Sequence, residues 1–249
     1  MNISNSQEHY NEFFETFFNY GWSIHSQKIY ELDNKQVIGS ELLLRVGDED
    51  NYLDNSVFFP KICEDSRYLS VSKEVLNLVK IRFIHNPEIF FEKTFINISP
   101  NEIRSEAILL LLQELGELFE ESNKTLVIEL SEIFTREDFV ELKTSLDKLN
   151  SNFVELAIDD YGRGLIDHKS YKSYKSLNLS YLKLDKSVSN RMQSNEGLIN
   201  VIIKFCKQYE ILCIAEGIES PESENTLLNQ GIPLGQGFYF HKPELFIKP

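Results

Sequence analysis

The sequence predicts an α/β fold, a TIM-barrel-like (β/α)8 variant, and three observations predict it. Its 249 residues suit one such barrel, which typically takes about 250. From Thr94 onward, short apolar runs alternate with helical patterns, as in parallel strands joined by crossover helices. Each apolar run also delivers a polar side chain at or near its C-terminal end, on the face where a barrel houses its chemistry. No linker-like or low-complexity stretch divides the chain. Residues 1–21 are expected to form a helical extension packed on the barrel, and residues 22–249 the single barrel domain.

In order, the polar N-terminus leads to Phe13, Phe14, Phe17 and Phe18, whose i, i+4 spacing predicts a helix with an aromatic face. Trp22–Tyr30 and Gln36–Leu44 flank the turn Asp33-Asn34-Lys35 and read as a hairpin. After the acidic, irregular stretch 47–54, a helical segment is expected near 71–84. Strands are then predicted at 94–98, 125–130, 153–158, 181–184, 211–215 and within 232–240. The helices between them fall near 101–121, with Ser99-Pro100 as its start signal, 136–149, with Thr135 as N-cap, 196–209 and 221–230.

The polar residues at the strand ends are Glu41, Asn97, Glu129, Asp159 with Asp160, Lys183, Glu216 and Gln236. Any one of them could be a helix cap or a surface group. Seven in phase are hard to explain that way, because acids that end apolar strands are costly unless something pairs with them. The Asp159-Asp160 pair is the sharpest case: adjacent carboxylates repel, and a divalent cation is the usual means of keeping both ionised. Gly162 and Gly164 follow and free the backbone for a tight path. Five carboxylates and an amide, with no histidine, make an oxygen-only donor set that favours Mg²⁺ or Mn²⁺ over zinc. Two ions sharing Asp159 suit the excess of acids and the displacement chemistry of a phosphoryl group. Lys183 would neutralise charge or hold a water there. As groups on the catalytic rim, these side chains are expected to be dispensable for the fold.

The net charge of −14 excludes long nucleic acid as a partner, since no basic run is available to displace counterions. No apolar run approaches a membrane span, and the N-terminus is too polar for a signal peptide. Cys63, Cys206 and Cys213 have no CxxC spacing and read as reduced core residues of a cytoplasmic protein.

Taken together, Glu41-Leu42-Leu43-Leu44-Arg45, Asn97-Ile98-Ser99-Pro100, Glu129-Leu130-Ser131-Glu132, Asp159-Asp160-Tyr161-Gly162, Lys183-Leu184-Asp185, Ala215-Glu216-Gly217-Ile218-Glu219 and Gln236-Gly237-Phe238 resemble the motifs of the EAL-domain cyclic di-GMP phosphodiesterases. They occur in that family's order and cover most of the chain. The resemblance implies a barrel whose first strand runs antiparallel to the rest, in keeping with the hairpin. It implies metal-dependent hydrolysis of cyclic di-GMP to linear pGpG, two Mg²⁺ or Mn²⁺ ions, inhibition by Ca²⁺ and a homodimer. Glu41, Asn97, Glu129, Asp159 and Asp160 would hold the metals. Lys183 would position the water, and Glu216 would act as a metal-site acid or base. Arg45 would meet a phosphate, Leu44, Gln27, Glu219 and Gln236 would line the nucleotide pocket, and Glu132 would brace the loop after the Asp pair.

The sequence departs from the family pattern at Leu42, where alanine is usual, at Val46 for tryptophan and at Lys28 for proline. The loop 161–168 departs furthest, with Tyr161, Arg163 and then Leu165-Ile166-Asp167-His168, and is expected to be a regulatory element. Two other readings compete. One is an EAL-type receptor that binds the dinucleotide or a protein partner without hydrolysing it. The other is an enolase-like barrel, disfavoured by the adjacent Asp pair and the absence of a Lys-x-Lys motif.

Overall fold

A computed structural model describes residues 11–48, 51–54, 59, 62–63, 65–131, 136–149, 154–161, 177–188 and 196–249. Its strands are β1 (Trp22–Glu31), β2 (Val37–Asp48), β3 (Asn51–Tyr52), β4 (Lys93–Ile98), β5 (Thr125–Ser131), β6 (Val154–Tyr161), β7 (Tyr181–Leu184), β8 (Leu212–Ala215), β9 (Leu234–Gly235) and β10 (Glu244–Ile247). The principal helices are α1 (Tyr68–His85), α2 (Pro100–Arg104), α3 (Glu106–Glu121), α4 (Arg136–Leu149), α5 (Glu196–Gln208) and α6 (Pro221–Asn229). Hydrogen bonding runs β1-β9-β8-β7-β6-β5-β4-β2 and returns from β2 to β1, so eight strands close into a barrel. β1 is antiparallel to β2, β9 and β10, while β2 and β4 through β9 are parallel. The fold class and the reversed first strand are therefore those read from the sequence. No described helix is long and apolar enough to cross a membrane.

A two-residue period sets the barrel interior. Ile29, Phe95, Val127, Ala157, Tyr181, Ile214 and Leu234 form one buried apolar cluster, with at most 3% of each exposed. Two residues beyond these positions, on the parallel strands, stand Asn97, Glu129, Asp159, Lys183, Glu216 and Gln236. On the reversed β1 the same step runs backward, from Ile29 to Gln27. The apolar layer is thus the floor beneath a polar one. The strand residues in between, such as Ile96, Ile128, Ile158 and Leu182, join the helices' Leu76, Phe83, Leu112 and Phe119 in a larger outer core. Burial on both faces is why these strands read as nearly continuous apolar runs.

The N-terminal helix, residues 11–20, ends in a π-helical turn, Thr16–Tyr20. Phe13, Phe14 and Phe17 are buried in a cluster with Val46, Ile62, Tyr68 and Val71, and Phe17 stacks on Trp22 at 5.0 Å. Phe18, placed on the same aromatic face by its spacing, is 52% exposed.

The local boundaries differ from the sequence reading in four places. β2 runs on to Asp48 and folds back through β3 inside the stretch expected to be irregular. α1 begins at Tyr68. The helix expected over 101–121 is two helices, broken where Ser105 adopts an extended conformation (φ −85°, ψ 110°). β10, which pairs with β1, was not anticipated. Thr135 lies outside the described residues.

A reciprocal capping box starts α2: Ser99 N–H donates to Glu102 Oε2 at 2.7 Å, and Glu102 N–H donates to Ser99 Oγ at 3.4 Å. This turn carries the chain directly out of β4 and so holds the end of the strand that bears Asn97. Burial raises the Glu102 carboxyl above its ordinary pKa, and its hydrogen bonds offset only part of that. A carboxyl whose pKa is raised on folding stabilises most below its unfolded pKa and loses that contribution as pH rises through its folded pKa. Glu102→Gln, which keeps an acceptor for Ser99, is therefore expected to raise the urea midpoint at pH 7, with the gain shrinking toward pH 4. Glu102→Ala removes the acceptor for Ser99 N–H, one half of the capping box, and is expected to cost about 1 kcal/mol.

Candidate active site

The polar layer meets at one ammonium. Lys183 Nζ lies 2.8 Å from Glu129 Oε1, 2.9 Å from Asp159 Oδ1, 3.0 Å from Glu216 Oε1 and 3.1 Å from Glu41 Oε2. Two amides complete the ring. Asn97 Nδ2 donates to Glu41 Oε1 at 2.9 Å, while Gln236 Nε2 donates to Glu41 Oε2 at 2.8 Å and to Glu216 Oε1 at 3.2 Å. Lys183 and Glu129 are fully buried and Glu41 nearly so. The site thus lies inside the barrel mouth, deeper than the catalytic rim expected from the sequence.

The Asp pair owes its geometry to its own backbone; Gly162 and Gly164 lie outside the described residues. The pairing of β6 with β7 slips between Ile158 and Tyr161, and Asp160 takes φ 54° there. Aspartate is one of the few non-glycine residues that tolerates this left-handed region. In a regular strand, adjacent side chains would point to opposite faces. The slip instead lets Asp159 and Asp160 line the same hollow.

Four carboxylates share one cation here, and the balance is poor. At an effective dielectric of about 20, a contact near 3 Å attracts by roughly 5 kcal/mol, while acids about 5 Å apart repel by roughly 3 kcal/mol. With four attractions against six acid–acid repulsions, the two nearly cancel, and desolvation of the buried charges stays uncompensated. Burial, then Glu41, pushes the Glu129 carboxyl well above the ordinary range. Burial does the same to Glu216, with Asp159 and Glu41 adding to it, and burial with Glu41 and Asp160 raises Asp159. At Glu41 burial acts upward too, but Lys183 and the bonds from Gln236 and Asn97 prevail and hold it low. For Lys183, burial favours the neutral amine, yet the surrounding acids hold the proton far more firmly than usual.

These residues fit a divalent cation. Ligand oxygens of Glu41, Glu129 and Asp159 lie within 4.8 Å of one another. Glu129 Oε2 is buried without a hydrogen-bond partner among the described residues. Further positive charge on oxygen donors is what the cluster lacks.

Two hollows flank the cluster. One, of about 320 Å³, is lined by Glu41, Leu44, Arg45, Asn97, Asp159 and Asp160 and runs on between apolar walls to Leu76 and Ile96. The other, of about 300 Å³, is lined by Gln27, Glu216, Glu219, Gln236 and Phe238, together with Asp185 and Lys186. Arg45 is bonded to the Leu44 carbonyl at 3.1 Å, and burial lowers its pKa against the opposing pull of Glu41 and Tyr52. Gln27 is tied to the His241 carbonyl at 3.0 Å. The residues singled out in the sequence therefore divide between a shared centre and two wings, except Glu132, which lies outside the described residues with Arg163 and most of its loop. Lys186 was missed: its position in the chain carries no signal beyond its charge.

A barrel with one reversed strand and an acid-rich, oxygen-only site at the C-terminal ends of the others defines a narrow class. Residues 15–243 match the model of the EAL domain, and the chain belongs to the EAL-domain family. It is 28% identical over 232 residues to the cyclic di-GMP phosphodiesterase PdeA of Borreliella burgdorferi, covering 90% of this chain and 34% of that protein. It is 25% identical over 225 residues to the signaling protein YkoW of Bacillus subtilis, covering 88% and 28%. The chain thus spans a minority of each relative's length. The fold matches the EAL domain of FimX from Xanthomonas citri, solved in complex with c-di-GMP, with a TM-score of 0.78 over 98% of this chain and 96% of that one; at 14% identity this likeness concerns fold alone.

Proposed function

We propose that the protein is a metal-dependent phosphodiesterase that hydrolyses cyclic di-GMP to linear pGpG. The observation that carries the reading is the set of four carboxylates around Lys183, with Asn97 and Gln236 beside them, at the barrel mouth of an EAL-family chain. Glu41, Asn97, Glu129, Asp159 and Asp160 would hold Mg²⁺ or Mn²⁺, in a two-ion site. Once bound, the ions would supply Lewis acidity toward a phosphoryl oxygen and make water acidic enough to attack near neutral pH.

The chain's own groups do the rest. Lys183, protonated and fixed by the acids, would balance charge and orient the attacking water. Glu216, between Lys183 and Gln236, would accept its proton. Arg45 brings a planar fork suited to a phosphate into the first hollow. The apolar layer below the cluster excludes bulk water from beneath. A flat, two-fold dinucleotide can then lie across the centre with one half in each hollow.

Incubation of the protein with cyclic di-GMP, followed by chromatography, is expected to give pGpG with Mg²⁺ or Mn²⁺ and none after exhaustive chelation. Ca²⁺ should support little turnover, since its looser coordination places the water poorly. Ligand bound but recovered intact with every metal would replace the enzyme reading with that of a receptor.

A further inference from the structure

Arg45 has a phosphate to meet and little of its own to hold it in place. Among the described residues its guanidinium makes one hydrogen bond, to the carbonyl of its neighbour Leu44 at 3.1 Å. An arginine carries five N–H donors, so most of the fork is left for a ligand. A carboxylate partner would steady the fork but compete with the phosphate for the same donors. Neutral groups can steady it without that competition.

The long β1–β2 ladder brings such groups to Arg45. Its rungs pair Gln27 with Glu41, His25 with Leu43 and Ser23 with Arg45. Alternation puts these six side chains on one face, in a column that rises from the acid cluster. β2 then folds back at Gly47, which takes φ 115° and where an added Cβ would lie 2.5 Å from the Asn51 carbonyl oxygen. The fold pairs Tyr52 of β3 with Gly47, two positions past Arg45. Tyr52 Oη lies 3.3 Å from both Ser23 Oγ and His25 Nε2, and its ring meets the imidazole edge-on, with centroids 5.3 Å apart. Ser23, directly across the ladder from Arg45, is only 2% exposed, so the contact takes the place of water. The phenol also acts electrostatically on the guanidinium. None of these three residues belongs to the motifs that mark the site, and packing alone does not call for a hydroxyl on Tyr52.

We propose that Tyr52, held by Ser23 and His25, is a positioning residue that aims Arg45 at a phosphate of the dinucleotide; this deepens the cyclic di-GMP reading above and rests on it. A guanidinium already aimed loses little rotamer freedom when the phosphate arrives. Without the hydroxyl, that ordering is charged to the binding step. A phosphate held equally well before and during the reaction changes KM and leaves kcat alone.

Tyr52→Phe tests this, since it keeps the ring against His25 and removes only the hydroxyl. Calorimetric titration with cyclic di-GMP in Ca²⁺ buffer, with recovery of intact ligand checked afterwards, is expected to show Kd raised roughly fivefold. In Mn²⁺, KM should rise by a similar factor while kcat and the melting temperature stay near those of wild type. Ser23→Ala should act in the same direction. In an Arg45→Lys background, which keeps a cation for the phosphate, Tyr52→Phe should have little further effect, because the group it positions is gone. If wild type binds and Tyr52→Phe binds equally well, the phenol does not aim Arg45, and the dinucleotide reading stands. An equal loss in both backgrounds, or a loss of kcat and melting temperature together, also overturns the positioning role. If wild type binds no cyclic di-GMP, the reading of the site falls and takes this role with it.

Discussion

Lys183→Met is expected to lower turnover by more than about a hundredfold and, in chelator, to destabilise the protein by about 3–5 kcal/mol. The stability loss is the more informative half. The sequence placed Lys183 on a catalytic rim whose residues the fold could spare. The structure places it fully buried against four carboxylates, the nearest at 2.8 Å. Without the ammonium, those acids face one another with no counter-charge, and they must take up protons or part. Added Mn²⁺ should then raise the urea midpoint of Lys183→Met more than that of wild type, because the metal supplies the missing positive charge. An unchanged midpoint in chelator would show that the ammonium is not what holds the empty site together.

Asp159→Asn should abolish turnover to a similar degree and move stability the other way. Burial raises the Asp159 carboxyl, and Glu41 and Asp160 add to the shift. An amide there leaves three acids to share Lys183 instead of four. In chelator the variant is expected to melt a few degrees above wild type, the equivalent of about 1 kcal/mol at this size. In saturating Mn²⁺ the order should reverse, because wild type then gains a ligand that the variant holds poorly. A chelated variant that melts well below wild type would contradict this account of the pair. Paired with Lys183→Met, it separates loss of chemistry from loss of fold within one cluster.

The architecture was legible because a barrel strand repeats a simple rule. An apolar residue that fills the interior is followed two positions later by a polar one at the mouth, as in Phe95 and Asn97, Val127 and Glu129, Tyr181 and Lys183. That rule picked out the cluster without any knowledge of contacts. It could not say how deep the layer sits, since depth depends on the tilt and stagger of neighbouring strands. The break at Ser105 was hidden because nothing in 101–121 interrupts the helical pattern. β10 was hidden because Glu244–Ile247 is too short to show a period and becomes a strand only by pairing with β1. The positive φ at Asp160 was hidden because the glycines that follow are the residues that most often adopt it, and an aspartate carries no comparable signal. Lys186 finds its partner in Glu219, a residue 33 positions away. Strand-end chemistry is written locally; partnership across loops is not.

The reversed first strand also sets a timetable. β1 is sealed on one side by β2, which follows it at once, but on the other by Leu234–Gly235 and Glu244–Ile247. At about 5–20 residues per second, a ribosome takes roughly 10–40 s to travel from Glu31 to Leu234. Through that interval the growing sheet has two unpaired margins, β1 at one side and the latest strand at the other, and no closed mouth. Gln236, which bonds both Glu41 and Glu216, comes off the ribosome only a residue after the strand that shuts the seam. The ring of acids is therefore finished by the last part of the barrel to be made, and a chain arrested short of it would hold all four carboxylates and have no enclosed place to gather them.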